Sequence, residues 1–76
     1  MSRLAPLKAR ELIKILRKLG FYQTRQKGSH AFFLHKDGRS TVVPVHPTKQ
    51  IGKGLLRSIL HDINISPEEF KKLIKK

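Results

Sequence analysis

Apolar residues recur along this chain first at helical spacing, then at the shorter spacing of strands, then at helical spacing again. From Pro6 to Leu19, the residues Ala9, Leu12, Ile13, Ile15, Leu16 and Leu19 fall within one arc about 160° wide on a helical projection. Arg10, Glu11, Lys14, Arg17 and Lys18 occupy the opposite arc. This pattern predicts a helix over Pro6 to Leu19. Pro6 suits its first turn and Gly20 the residue just past its end.

Three strands are expected next, separated by turn signals. Phe21 to Gln26 is the first, with Lys27-Gly28 as the turn after it, and His30 to Lys36 is the second. Lys36-Asp37-Gly38-Arg39 reads as a tight hairpin, because Asp-Gly supplies left-handed backbone angles. Thr41 to Val45 is the third strand, and Pro44 marks it as an edge, since proline cannot donate to a ladder. Alternation leaves open which face of the second strand is buried: Phe32 and Leu34 share one side with His30, Ala31 and Phe33 the other.

After a loop at His46-Pro47-Thr48-Lys49-Gln50, a helix is predicted from Gly52 to Ile63 with Leu55, Leu56, Ile59, Leu60 and Ile63 as its stripe. The last helix starts on a capping box, Ser66 to Glu69, with Pro67 at its first position and Ile65 and Phe70 placed as a hydrophobic staple. Phe70, Leu73 and Ile74 then face inward, while Lys71, Lys72, Lys75 and Lys76 suit the negative end of the helix dipole. The order is α-β-β-β-α-α, without repeat or linker, and residues 1–76 are expected to form one α+β domain.

Charge narrows the partner. Lys and Arg number 17 against 5 Asp and Glu, a net +12 spread over every segment. Such a field favours a polyanion, because each phosphate neutralised by Lys or Arg releases counterions. Lipid is the weaker candidate, since the amphipathic stripes have a sheet to pack against. The longest apolar run, about four residues, is far short of the ~20 that span a bilayer. The beginning of the chain is charged and broken by Pro6, where a signal peptide needs a clean apolar stretch. A soluble, cytoplasmic protein is expected. Without cysteine, disulfides and thiolate zinc sites are excluded.

The candidate chemistry centres on Gly28-Ser29-His30. Histidine exchanges a proton near neutral pH. A metal centre would need several converging ligands, yet the carboxylates beyond Glu11 and Asp62 have local duties at a turn (Asp37) and a helix start (Glu68 and Glu69). Asp62 lies beside His61, which makes no site by itself, so neither metal nor cofactor is expected. Ser29 as a nucleophile would have His30 on the opposite strand face and no evident third member, and no P-loop is present. RNA needs less equipment, because it carries its own nucleophile, the 2′-hydroxyl. A histidine to move the proton and lysines to offset charge at the phosphorus then suffice.

Gly20-Phe21, Lys27-Gly28-Ser29-His30, the Asp37-Gly38 hairpin, Val43-Pro44-Val45-His46, the run Gly52 to Leu60, and Ile65-Ser66-Pro67-Glu68-Glu69-Phe70 together resemble HicA-type toxins, the YcfA-like family. The resemblance covers nearly the whole chain in order. It implies a double-stranded-RNA-binding-domain-like fold, with helices on one face of a three-stranded antiparallel sheet. It also implies an mRNA interferase that works without the ribosome, and a HicB-type antitoxin that masks its active site. The catalytic histidine of the family falls on His30, preceded by Gly28 and Ser29, and His46 is the expected supporting or RNA-positioning residue. Ala31 stands where many relatives place a second polar or basic residue, and Leu34 where a basic one is common.

Lys27, Lys49, Lys53 and Arg57 flank the motif or the glycine-rich helix start and are candidate phosphate contacts, the alternative for each being plain surface charge. Tyr22 is the one aromatic expected to be exposed for base stacking. The leading expectation is a metal-independent endoribonuclease of a type II toxin–antitoxin system acting on mRNA or other RNA. Its rivals are a non-catalytic RNA-binding module, in which His30 only packs, and a small DNA-binding regulator, for which no recognition helix is evident.

Overall fold

Both longer helices end by the same device. Helix α1 (Ala9–Lys18) stops at Leu19, and Gly20 takes a φ of 98°. The Gly20 N–H then returns to the Arg17 carbonyl and the Phe21 N–H to that of Leu16, both partners of the outer bond being buried. This is a Schellman closure. Helix α2 (Lys53–Asp62) repeats it with Asn64 at φ 57°, where the Ile65 N–H reaches the Leu60 carbonyl.

In this computed structural model residues 4–46 and 49–74 are described. Pro47 and Thr48, expected in a loop, and Lys75 and Lys76, expected in the last helix, lie outside the described residues. Two short strands, β1 (Leu7–Lys8) and β5 (Gln50–Ile51), form a separate antiparallel ribbon. The main sheet is β2 (Tyr22–Lys27), β3 (His30–Leu34) and β4 (Ser40–Pro44), antiparallel in the order β2-β3-β4. Helix α3 (Pro67–Ile74) closes the chain, with the Ser66 hydroxyl accepting the Glu69 N–H at 3.1 Å as its capping box requires. The result is the expected α+β architecture, with Pro44 on an edge strand.

Several local readings change, and Leu55, Leu73 and Ile74, expected on inward-facing stripes, are exposed. The first helix begins at Ala9 rather than Pro6, because Leu7 pairs with Ile51 and both side chains join the core. The Lys8 N–H is then taken by the Glu11 carboxylate at 2.9 Å. In the Asp-Gly hairpin only Gly38 is left-handed, at φ 100°. Asp37 instead accepts the Arg39 N–H at 3.0 Å and the Arg39 Nε–H at 2.8 Å.

One face of the sheet is buried. Ala31, Phe33, Thr41 and Val43 point into a core completed by Leu12 and Leu16 of α1, Leu56, Ile59 and Leu60 of α2, and Phe70 of α3. Phe33 is therefore the core phenylalanine of β3, and Phe32 lies on the opposite face with His30 and Leu34. Strand β2 has no buried residue at all. Among the described residues, three strands and three helices thus leave one sheet face and one whole strand uncovered.

Candidate active site

Lys27 and His30 are cross-strand partners, so the β2–β3 connection is the two-residue turn Gly28-Ser29. Gly28 takes φ 59° at its first position, where a tight hairpin of the II′ kind needs glycine. The Gln26 side-chain amide donates to the Gly28 carbonyl at 3.1 Å and braces the turn. Ser29 lies in the turn rather than on a strand, half-buried, and its carbonyl accepts the Val45 N–H at 2.6 Å. His30 opens β3 between Lys27 on one side and Pro44 on the other, and it is exposed. An imidazole standing clear of the core on a rigid strand start can meet a bound substrate.

The helices run the other way. The C-terminal end of α2 is fastened to the far end of the sheet, where the Thr41 hydroxyl donates to Asp62 at 3.1 Å and Arg39 Nη1 donates to the Ile63 carbonyl. The start of α2, with Lys53, therefore lies toward the end that carries Gly28-Ser29. His46 and Lys49 belong to the segment between β4 and β5, whose Lys49 N–H returns to the His46 carbonyl. Lys27, Gly28, Ser29, His30, His46, Lys49 and Lys53 thus share one end of the fold, and Arg57 stands one turn further along α2. All four cations are exposed.

The two histidines at this end do not share a face. His46 lines a cleft of about 470 Å³ with Lys8, Arg10, Ile13 and Gln26. Gln26 pairs with Ala31, which points to the helices, so that cleft is on the helix side of the sheet. His30 is on the other side. A third histidine, His35, is structural: its Nε2 lies 3.1 Å from the Leu19 carbonyl and its Nδ1 accepts the Asp37 N–H. The carbonyl can only accept, so Nε2 carries the proton. The ring of Phe21 meets that of His35 edge-on at 5.0 Å.

Alternation along Tyr22-Gln23-Thr24-Arg25-Gln26-Lys27 would separate Tyr22 from Arg25. The structure does not. A register shift between Gln23 and Arg25 leaves Thr24 bulged, so that Tyr22 pairs with Leu34, Arg25 with Phe32 and Lys27 with His30. All six therefore share the open face. The Arg25 guanidinium lies 4.8 Å from the centre of the Phe32 ring. Arg25 and Phe32 belong to the surroundings of His30, and no apolar pattern in this strand signals it.

Carboxylates keep away. None occurs on β2, β3 or β4. Arg39 lowers the Asp37 pKa below the ordinary carboxylate range, chiefly through its backbone N–H and then through its guanidinium. Among the described residues, no three His, Asp or Glu side chains group as metal ligands would, and no helix is long and apolar enough to cross a membrane.

A family model described as the HicA toxin of bacterial toxin–antitoxin matches residues 9–65, three-quarters of the 76-residue chain. A search among curated proteins returns no match.

Proposed function

The chain belongs to the HicA toxin family, the toxin side of a toxin–antitoxin system with a cognate antitoxin as its partner, and on that premise we propose that it is a metal-independent endoribonuclease cutting mRNA through His30. One observation carries the reading: an exposed histidine fixed at a glycine turn, on a sheet face that holds cations and no carboxylate.

The chemistry asks little of the protein. As a base, the His30 imidazole takes the 2′-hydroxyl proton while that oxygen attacks the neighbouring phosphorus. A bond forms between the 2′-oxygen and phosphorus, and the bond to the 5′-oxygen breaks as that oxygen takes up a proton. The products are a 2′,3′-cyclic phosphate and a 5′-hydroxyl. Protonated, the same ring serves the leaving oxygen instead. Lys27 is the nearest cation by register and offsets charge at the phosphorus. Gly28 and Ser29 hold the turn, while His46, Lys49, Lys53 and Arg57 take the RNA backbone beyond the cut, past the end of the sheet. An mRNA substrate places the protein in the cytoplasm, and a HicB-type antitoxin would silence it by covering this end.

Cleavage of end-labelled RNA by wild type and His30→Ala, with and without EDTA, tests the reading. Wild type should cut equally in EDTA and leave cyclic phosphate ends, with the variant slower by about 10²–10⁴-fold. Equal cutting by the variant, or loss of activity in EDTA, would overturn it. Binding with a steep salt dependence and no cleavage at any pH would identify a passive RNA-binding module.

A further inference from the structure

We propose that the uncovered face of the β2-β3-β4 sheet is the track for single-stranded RNA, with Tyr22 and the stacked Arg25–Phe32 pair as base platforms leading to His30. The inference rests on the endoribonuclease reading and names how that site takes its substrate.

The bulge at Thr24 is the first reason. Along the uncovered face it sets three cross-strand pairs in a row: Tyr22 with Leu34, Arg25 with Phe32, Lys27 with His30. Successive pairs are two residues apart on β3, a step of about 7 Å. Bulges re-aim side chains next to functional sites, and here the effect is to move Arg25 and Lys27 onto the side of Tyr22. A regular strand would have sent one group or the other toward the helices.

The surface so formed matches one kind of ligand. Tyr22 is half exposed, at 50%, a large ring on a face that none of the described helices covers. Phe32 is half-buried beneath the Arg25 guanidinium. Rings and guanidinium planes are the surfaces on which unpaired bases stack, and stacking tolerates any base. Arg25 and Lys27 supply charge for the phosphates, and the three strands contribute no carboxylate to repel them. The nearest one in sequence, Asp37, is held by Arg39 at the opposite end of the sheet from His30. A duplex would hide the flat faces of its bases, so the ligand is a single strand.

This route differs from one along α2. A strand lying over Lys53 and Arg57 would be on the helix layer, whereas His30 faces away from it. The open face brings the scissile phosphate to the imidazole without rounding the end of the sheet.

The test uses the full chain carrying His30→Ala, so that RNA is bound and not cut. Affinity for a fluorescein-labelled, mixed-sequence single-stranded RNA is measured against salt, and repeated with Tyr22→Ala, Arg25→Ala, Arg25→Lys, and the pair Lys53→Ala with Arg57→Ala added. Tyr22→Ala should weaken binding about tenfold with the salt slope unchanged. Arg25→Ala should lower the slope by about one contact, while Arg25→Lys restores the slope but not the full affinity. Ultraviolet crosslinking should join the RNA to Tyr22 or Phe32. Parent-like binding by the Tyr22 and Arg25 variants, with loss confined to the Lys53 and Arg57 pair, overturns the open-face track, and so does the same result accompanied by lost binding of a protein partner. If wild type cuts RNA in the preceding assay, that failure leaves the endoribonuclease reading standing. If neither binding nor cutting occurs, both fall.

Discussion

Arg39 Nη1 donates to the backbone carbonyl of Ile63 at 2.6 Å, tying the hairpin between β3 and β4 to the end of α2. The same guanidinium holds Asp37 through Nε and lies 5.1 Å from the centre of the Phe21 ring. One side chain thus serves a turn, a helix end and an aromatic face. Truncation to Arg39→Ala strips three partners at once, and a loss of about 1–3 kcal/mol is expected from thermal or urea unfolding. Arg39→Lys should recover only part of it, since an ammonium lacks the planar fork. Wild-type stability in Arg39→Ala would show that the contact is incidental.

Asp37 makes that tie sensitive to acid. Its carboxyl titrates below the ordinary value in the folded chain, held there first by the Arg39 N–H and then by the Arg39 side chain. The unfolded chain therefore takes up the proton first, so the stabilisation is complete above the ordinary Asp pKa and fades as pH falls through the lower, folded value. The stability gap between wild type and Asp37→Asn should be constant near neutrality and close below about pH 4. A gap that stays open in acid would mean that charge at Asp37 is not its source.

Gly20 and Gly28 are both left-handed, yet they should not be equally replaceable. A Cβ at Gly20 would lie 2.9 Å from His35 Nε2, the atom that reaches the Leu19 carbonyl. A Cβ at Gly28 meets nothing within 4 Å. Both alanine variants carry backbone strain of about 1–2 kcal/mol, and Gly20→Ala also loses the His35 bond, about 1 kcal/mol more. At about 4–8 °C per kcal/mol for a domain of this size, Gly20→Ala should melt several degrees below Gly28→Ala. The reverse order would remove His35 from its role as a latch.

His30→Ala separates catalysis from packing. The side chain is exposed, so stability should change by no more than about 0.5 kcal/mol. RNA cleavage by the same variant should fall by about 10²–10⁴-fold. A matched loss of stability would mark the ring as a packing residue.

Most elements were legible because their ends are written in local chemistry. Ser66 and Glu69 declare the start of α3, and Gly20 the end of α1. Pro44 foretold an edge strand. The side on which Phe32 and Phe33 fall was not legible, since either could fill a core and only the helix layer chooses. The bulge at Thr24 has no signature, because a strand reading Tyr-Gln-Thr-Arg-Gln-Lys offers no apolar residue to fix its phase. Arg25 was therefore missing from the surroundings of His30. The ribbon of Leu7 with Ile51 was hidden in the same way, two residues being too short for any period to register. The shared end of the fold followed from element order, whereas the separation of His46 from His30 needed the third dimension.

The ribbon has a mechanical meaning for the segment that carries His46 and Lys49. That stretch is moored at one end where Val45 meets Ser29, and at the other where Gln50 meets Lys8. His46 therefore stands one residue from a backbone bond to the hairpin that presents His30, and Lys49 one residue from a strand pair at the root of α1. A partner gripping either element meets one of these two side chains beside a fixed point of the backbone.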